Sequence, residues 1–564
     1  MSKWRTRGLG ALAVAAVAGL ATALTGSLAS ARTDGAAANP AGGAPPGAAV
    51  VAARQLDKID HIVVIYEENH SFDNLYGGWE GVNGRSNADA AHTEQVDQNG
   101  VKYGCLKQLD ANLTSPPLSA TCTDATHGIT SHFTNTWFTI DDFIHPSSIT
   151  CPPIAHAFSF PNGLRDPGID PATNTPVPDA RAGGCTRDLV HEFYQEQYQL
   201  NGGQQNRYMS GSDSAGTTMG VYDTTKLPIY EYLHRPGHPR YAIADNFFQA
   251  AFGGSFLNHQ WLIAAATPVD PTGSPGGAHA GAHSIIDSNG MPVAYPLYTP
   301  TGPVQRNPLT VACPAPPAAK VCGNYAVNTM QPFATPFGSF GLQLPAQTAP
   351  TIGDRLTDAG IDWAWYAGGW NDAVAGHPDP LFQFHHQPFA YFANYGPGAP
   401  GRSHLQDETA FEGLAAASST ECRLKPVSFV KPIGEENEHP GYASEPDGSD
   451  HLVDLVKSIE ESACARDTMV IVTYDEFGGQ WDHVPPPGQG NDNGPHDVWG
   501  PGTRIPALVI APHLQGDFVV DSTEHDTTSI LATIEHRFGL DPLGTRDAQV
   551  ADLSSVFFAK APKP

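Results

Sequence analysis

Positive charge is scarce in this chain of 564 residues. Lys and Arg together number 30 against 58 Asp and Glu, which gives a formal net charge of −28. Proteins bind nucleic acid through clustered basic side chains, and no such cluster interrupts the acidic surplus, so we expect no nucleic-acid partner. Charged residues of both signs make up only 16% of the chain.

Long apolar runs are also missing, except at the N-terminus. There Lys3, Arg5 and Arg7 precede an apolar run over residues 9–24, and Ala-Ser-Ala follows at 29–31. This order is typical of a secretory signal peptide, which we predict over residues 1–31, and it indicates an exported protein. A membrane anchor is the alternative for this segment. No other run approaches the roughly 20 apolar residues of a membrane span, so we expect none elsewhere.

Two common motifs are absent. Without C-x-x-C, zinc-ribbon and thioredoxin-like sites are disfavoured, and without G-x-S-x-G the Ser-His-Asp triad of the α/β-hydrolases is not supported. The eight cysteines of an exported chain favour disulfides. On nearness in sequence alone, we predict the pairs Cys105–Cys122, Cys151–Cys185, Cys313–Cys322 and Cys422–Cys464.

The chain nevertheless has the composition of a folded protein with long loops. Hydrophobic residues make up 40%, and Gly and Pro number 58 and 50. Residues 32–57, rich in Ala, Gly and Pro, are predicted to form a flexible leader. Residues 58–564 are predicted to form a single domain, with a Pro/Gly-rich surface insertion at about 267–350.

Unbroken β-branched runs predict strands that are buried on both faces, as in a parallel sheet. Such runs lie at 62–66 and 468–474, with further strand candidates at 505–511, 361–366 and 241–248. Apolar spacing predicts helices through 452–459, with Ser449 as N-cap, and over about 527–538 and 188–200. Helix and strand alternate along the chain, so the sequence predicts an α/β fold.

Each of the two strongest strands is followed by acidic residues. The first runs into Glu67-Glu68-Asn69-His70-Ser71-Phe72-Asp73 and the second into Asp475-Glu476-Phe477-Gly478-Gly479. The carboxyl ends of strands line the ligand crevice of open α/β sheets. Carboxylates from two strands that meet there would bind a hard cation. Exposed loop acids are the alternative.

A serine follows two glycines in Phe252-Gly253-Gly254-Ser255-Phe256, at the start of a predicted helix. Ser255 could serve only as an N-cap. Alternatively it is a nucleophile, because a helix N-terminus favours a bound phosphate beside its hydroxyl. Histidines are abundant, 24 in all, and could bind phosphate or protonate a leaving group.

Taken together, these segments resemble a bacterial phosphoesterase family that contains exported phospholipases C and acid phosphatases. Residues 67–73 are similar to its E-N-x-S-F-D signature, and residues 475–484 are similar to its D-E-x-G-G-x-x-D-H-V signature. Gly500-Pro501-Gly502-Thr503-Arg504-Ile505-Pro506 resembles the G-x-G-x-R-x-P segment that follows. Phospholipase-type members carry Thr in a G-P-T-x-P-N-R segment, whereas residues 253–259 here are closer to the acid phosphatase branch, which has a serine nucleophile.

The resemblance implies an alkaline-phosphatase-like fold, with a mostly parallel sheet covered by helices on both faces. It also implies one divalent metal ion, which we expect to be Ca²⁺, Mg²⁺ or Mn²⁺, with Zn²⁺ and Fe left open. The metal ligands carried over by position are Glu68, Asn69, Ser255, Asp475 and Glu476. Ser255 would attack phosphorus, and the histidines expected to contact phosphate or the leaving oxygen are His132, His386 and His439. His145, His377 or His385 could replace any of these three.

The resulting expectation is an exported, metal-dependent acid phosphatase that hydrolyses phosphomonoesters through a phosphoserine. One alternative is a phospholipase C that cleaves phosphodiesters, with a phospholipid head group in the same site. Another is a non-catalytic surface protein on the same scaffold. The oligomeric state and the physiological substrate are not indicated by the sequence.

Overall fold

Eight strands form the central sheet of the protein, which is described here from a computed structural model. In chain order they are β1 (His61–Glu67), β2 (Tyr241–Ala244), β3 (Trp363–Ala367), β4 (Leu405–Asp407), β5 (Val427–Lys431), β6 (Thr468–Tyr474), β7 (Ala507–Ile510) and β8 (Phe518–Asp521). The structure describes residues 48–108, 118–144, 169–170, 175–176, 181–284, 286–287, 291–292, 307–311, 321–339, 341–490, 494–544 and 546–562.

The spatial order of the strands is β4-β3-β5-β1-β6-β7-β2-β8. All neighbours are parallel except β7, which runs antiparallel to both β6 and β2. Residues on both faces of β1 and β6 are buried, so both faces of the sheet are covered. This explains the unbroken apolar runs, and it confirms the predicted α/β fold with a mostly parallel sheet.

Eleven α-helices lie in the described part of the chain, several of them only one turn long. They are α1 (Ala48–Leu56), α2 (Phe72–Leu75), α3 (Ala90–Thr93), α4 (Phe193–Leu200), α5 (Pro228–His234), α6 (Ser255–Ala264), α7 (Ile352–Asp358), α8 (Trp370–Val374), α9 (Glu408–Ala416), α10 (Glu445–Glu460) and α11 (Thr528–Phe538). Helix α10 contacts α5 and α9, whereas α6 contacts α7 and α11. Short strand pairs lie outside the main sheet, at Cys122–Asp124 with Ile129–Ser131, Phe138–Thr139 with Gly220–Val221, Ile169–Asp170 with Thr175–Pro176, and Phe247–Phe248 with His525–Asp526.

Several helices begin at residues other than those predicted from the sequence. The predicted N-cap Ser449 lies inside α10, which begins earlier because the Ser444 side chain accepts a hydrogen bond from the Asp447 N–H. The helix predicted over 188–200 begins only at Phe193, and residues before it are not helical. The last residues of the predicted leader form α1.

The predicted insertion at 267–350 is not confined to the surface. Among its described residues, Leu309, Val327 and Met330 are buried in the core. Asn328 Oδ1 accepts a hydrogen bond from the Phe193 N–H at the start of α4. The segment therefore supplies part of the protein interior, which its low apolar periodicity did not predict.

Two of the four predicted disulfides are confirmed, Cys105–Cys122 and Cys422–Cys464. The other two pairs involve Cys151 and Cys313, which lie outside the described residues, as does the predicted signal peptide over residues 1–31. Of the helices that can be described, none combines the length and the apolar character needed to cross a bilayer.

A partly buried histidine, His451, joins helices α9 and α10. His451 Nε2 lies 2.9 Å from Glu408 Oε1 and 3.8 Å from Glu436 Oε2. Burial alone would lower the pKa of His451, but the hydrogen bond and charge of Glu408 outweigh it and raise the pKa to about 9. The folded state therefore binds a proton that the unfolded chain releases near pH 6.5.

His451→Gln should cost on the order of 2–3 kcal/mol of unfolding free energy at pH 6, since the paired charge is fully present below the unfolded pKa. The cost should shrink as the pH rises through about 9, where the folded histidine loses its proton. Urea denaturation at pH 6 and pH 9.5 measures this, with the exposed His377→Gln as control. An equal cost at both pH values would contradict the charge-based account.

Candidate active site

The carboxyl edge of the central sheet brings two remote acidic segments together. Glu67 of β1 is in register with Tyr474 of β6. The residues that follow them, Glu68 and Asp475, therefore lie side by side at the ends of the two strands. The Asp475 N–H donates to the Glu67 carbonyl at 3.0 Å, which extends the ladder past the strand ends. Parallel pairing thus places two carboxylates from residues about four hundred positions apart at one point.

Ser255 reaches the same point from the first turn of α6. Gly253 has a φ of +90° and packs so tightly that a Cβ there would lie 2.6 Å from the Phe193 nitrogen. Only glycine fits this turn, which presents Ser255 at the helix N-terminus. Ser255 Oγ lies 3.5 Å from Asn69 Oδ1 and 3.4 Å from Glu476 Oε1.

All five residues predicted as metal ligands therefore converge. Glu68, Asn69, Asp475 and Glu476 are at most 1% exposed, and Ser255 is 7% exposed. Burial raises the pKa of Asp475 and Glu476 well above their usual range, and each has a neighbouring carboxylate, Glu68 and Asp475 respectively, that adds to the effect. Asp475 Oδ2 accepts no hydrogen bond. This hard oxygen donor set, with its uncompensated negative charge, fits a divalent cation.

Glu68 differs from its neighbours because two basic side chains face it. His386 Nε2 lies 2.7 Å and Lys431 Nζ 3.2 Å from Glu68 Oε1. Burial would raise the pKa of Glu68, but His386 and then Lys431 more than offset it and hold the pKa well below its usual range. Glu68 is thus kept ionised, as a metal ligand must be.

The predicted histidines divide into two groups. His386 contacts Glu68, and His439 Nε2 lies 4.0 Å from Glu68 Oε2. His385 also borders the site, where burial and the neighbouring His386 lower its pKa well below the usual value.

His132 is a correction, because it does not belong to this cluster. Its Nδ1 is 2.9 Å from the Ser119 carbonyl, and its ring packs on Phe133 and Phe143 beside the hairpin tied by the Cys105–Cys122 disulfide. His377 is exposed and contacts its own loop through its backbone. His145 lies outside the described residues.

Three further residues at the site were not predicted from the sequence. His191 Nε2 lies 3.6 Å from Glu476 Oε1, in the extended segment before α4 that was predicted to be helical. His259 Nδ1 lies 2.8 Å from the Ser255 carbonyl and 3.5 Å from Asp475 Oδ2. Lys431 ends β5 at the same sheet edge. Two of them could have been predicted from the sequence. His259 follows Ser255 by one helical turn, and Lys431 is a single charged residue at the end of an apolar strand.

These groups open into a cavity of about 460 Å³. Its lining includes Glu68, Ser255, His191, His385 and His439. The Nδ1 atoms of His191 and His439 each face a backbone carbonyl, that of Leu189 at 2.5 Å and that of Pro440 at 2.7 Å. In the neutral ring those contacts place the proton on Nδ1, and Nε2 faces Glu476 Oε1 at 3.6 Å in His191 and Glu68 Oε2 at 4.0 Å in His439. The arrangement combines a serine hydroxyl at a helix N-terminus, a cluster of buried carboxylates and the imidazoles of His191 and His439.

Comparison with known proteins agrees with this chemistry. The model of the Phosphoesterase family matches residues 59–145 and 159–541. Phospholipase C B of Mycobacterium tuberculosis is 25% identical over 544 residues, which cover 90% of this chain and 80% of that protein. The non-hemolytic phospholipase C of Burkholderia pseudomallei is 26% identical over 260 residues, covering 38% and 36%.

Among solved structures, a protein of the alkaline phosphatase superfamily from Vibrio parahaemolyticus matches with a TM-score of 0.28 and 14% identity, covering 60% of this chain and 65% of that one. The family match spans most of the sequence, including both acidic segments and Ser255. This protein is therefore a member of the phosphoesterase family and a phosphoric ester hydrolase.

Proposed function

We propose that the protein is an exported, metal-dependent phosphodiesterase of the phospholipase C type, with Ser255 as its nucleophile. The observation that carries the proposal is the position of Ser255 Oγ, at a helix N-terminus and between Asn69 and Glu476. Helix N–H groups that point into the cavity favour the phosphate anion beside the hydroxyl that attacks it.

In this mechanism Ser255 Oγ attacks phosphorus and the bond to the leaving oxygen breaks, which gives a phosphoseryl enzyme. The Glu476 carboxylate accepts a hydrogen bond from the hydroxyl, takes its proton as the bond to phosphorus forms, and returns it when Ser255 is restored. His191 or His439 donates a proton from Nε2 to the leaving oxygen. A water molecule activated by the same histidine then cleaves the phosphoserine and restores Ser255.

A divalent cation held by Glu68, Asn69, Asp475, Glu476 and the Ser255 hydroxyl would neutralise the carboxylates and the phosphate and lower the pKa of the serine hydroxyl. The protein's own contribution is to keep these ligands dehydrated and pre-oriented. His386 and Lys431 hold Glu68 in place and ionised, and His259 braces the first turn of α6 through the Ser255 carbonyl.

An apolar cavity of about 610 Å³ adjoins the active site and favours a lipid-like substrate. The two cavities share His385, Gln383 and Thr329 in their walls. The apolar part of the second lining consists of Met330, Phe337, Phe382, Phe384, Pro378 and Pro380. An apolar alcohol leaving from phosphorus has room to occupy it, which supports the phospholipase C alternative.

The phosphomonoesterase that we expected from the sequence is the second candidate. It is favoured by the Gly253-Gly254-Ser255 segment, which departs from the threonine pattern of the phospholipase branch. Both candidate functions use the same serine and cation site. They differ only in whether one or two alcohol groups are esterified to the phosphate of the substrate.

A substrate panel separates the two candidates. With p-nitrophenylphosphorylcholine, phosphatidylcholine vesicles and p-nitrophenyl phosphate compared at equal enzyme concentration, we expect kcat/KM for the diesters to exceed that for the monoester by at least about tenfold, or about 1.4 kcal/mol in the barrier. A monoester preference of the same size would instead establish the acid phosphatase.

Ser255→Ala should lower kcat about 10³-fold or more on every ester, because the covalent intermediate cannot form. Acid quench of the wild-type enzyme during turnover of a ³²P-labelled ester should trap label on Ser255. The exposed Ser403→Ala should behave like wild type. Undiminished turnover in Ser255→Ala would remove the serine from the mechanism.

Two histidine variants test which side chains serve the reaction. His191→Gln should lower kcat by about 10²-fold or more, the usual contribution of a positioned proton donor. His132→Gln should change kcat less than about twofold, because its ring packs against the hairpin beside Phe133 and Phe143. Steady-state kinetics on one diester measures both. Equal losses would contradict the placement of His191 in the active site and of His132 outside it.

A further inference from the structure

A second cluster of buried acids lies immediately behind the active site. It consists of Glu67, Glu438 and Glu445, which are at most 2% exposed, together with the fully buried His70. One ligand atom from each of His70, Glu438 and Glu445 lies within 4.8 Å of the others. None of these residues belongs to the cation site around Ser255.

The carboxylates of this cluster are poorly compensated. Both oxygens of Glu67 and both of Glu445 accept no hydrogen bond from the described residues. Glu438 accepts one from the Tyr474 hydroxyl and lies beside the Ser449 hydroxyl. Within the described chain, the ion pair that involves these acids joins His70 to Glu445, and the charges of Lys431 and His451 act on Glu67 from beyond ion-pair distance. Buried carboxylates without such partners are costly unless a cation accompanies them.

His70 provides an independent indication of a cation. Its Nδ1 lies 2.6 Å from Asn74 Oδ1, and the Asn74 amide is oriented by donation from Nδ2 to the Gly220 carbonyl at 2.7 Å. Nδ1 is therefore the protonated nitrogen of the neutral ring. Nε2 then turns its lone pair toward two other acceptors, the Glu438 carbonyl at 3.0 Å and Glu445 Oε2 at 3.9 Å. A cation bound at Nε2 would satisfy this arrangement, and so would a proton shared between Nε2 and Glu445.

We propose that His70, Glu438 and Glu445, with Glu67 beside them, bind a second divalent cation that is separate from the one at Ser255. One imidazole nitrogen and several carboxylate oxygens suit a borderline ion such as Zn²⁺ or Mn²⁺ better than Ca²⁺. A proton on His70 Nε2 is the competing occupant. The burial of the cluster implies that the ion enters as the chain folds.

The chain position of these ligands gives the site a structural role. Glu67 directly precedes Glu68, His70 directly follows Asn69, and Glu438 directly precedes His439. Three of the four residues of the inner cluster, all but Glu445, are therefore covalently next to a residue of the active site. A cation at the inner cluster would fix the backbone of the two segments that carry Glu68, Asn69 and His439.

Metal content measured on the purified full chain tests the proposal independently of activity. The protein is produced in medium containing Mn²⁺ and Zn²⁺, dialysed against metal-free buffer and analysed by elemental mass spectrometry. We expect two equivalents of metal per chain in the wild type, one in Asp475→Asn and one in Glu445→Gln. Glu461→Gln, at the exposed end of the same helix α10, should keep two.

The Asp475→Asn arm decides the question even if Glu445→Gln fails to fold, because it leaves the inner cluster intact. One equivalent in the wild type and none in Asp475→Asn would overturn the proposal and identify the occupant as a proton. Two equivalents retained in a folded Glu445→Gln would overturn it as well. Loss of hydrolysis with an unchanged metal count would bear only on the proposed function.

Discussion

The active site depends on holding several carboxylates close together away from water. Glu68, Asp475 and Glu476 are almost completely buried at the carboxyl edge of the sheet. Like charges in such an environment raise one another's pKa, and the cost is relieved only by positive charge. Lys431 provides part of this charge at Glu68, and His386 Nε2 contacts the same carboxylate oxygen. The remaining negative charge is what the proposed divalent cation would neutralise beside Ser255.

The topology of the sheet makes this concentration of charge possible. Strands β1, β5 and β6 are adjacent and parallel, so their carboxyl ends, and the residues Glu68, Lys431 and Asp475, meet at one edge. Between β1 and β5 the chain passes through β2 and then enters α6, whose first residue is Ser255. The turn before α6 contains Gly253, where no larger residue fits. The catalytic groups are thus fixed by rigid elements, which the precision of phosphoryl transfer requires.

Much of this arrangement could be predicted from the sequence, because it follows from local patterns. The apolar runs at 62–66 and 468–474 indicated buried parallel strands, and the acids after them belong to the edge where such strands end. Ser255 was recognisable from the paired glycines before it. The five predicted metal ligands were assigned from the resemblance to the phosphoesterase family, and they lie within two residues of a strand end or at the start of a helix.

What could not be predicted depends on the course of irregular segments. His132 and His191 are both histidines in polar surroundings, and only the folded chain shows that residues 188–192 stay extended and point His191 at Glu476. The same holds for Asn328 and Val327, which belong to a Pro/Gly-rich segment and yet line the cavity. The hydrophobic periodicity of the sequence does not predict the positions of these residues, because loops are positioned by tertiary contacts and not by local propensity.

The most direct test of this account is the position of a metal ion and a phosphate in crystals of the wild-type enzyme soaked with Mn²⁺ and inorganic phosphate. Anomalous scattering should show Mn²⁺ bound by Glu68, Asn69, Asp475 and Glu476, with the phosphate against Ser255 Oγ and the first turn of α6. A fully occupied phosphate bound elsewhere, with no manganese peak among these four residues, would contradict it.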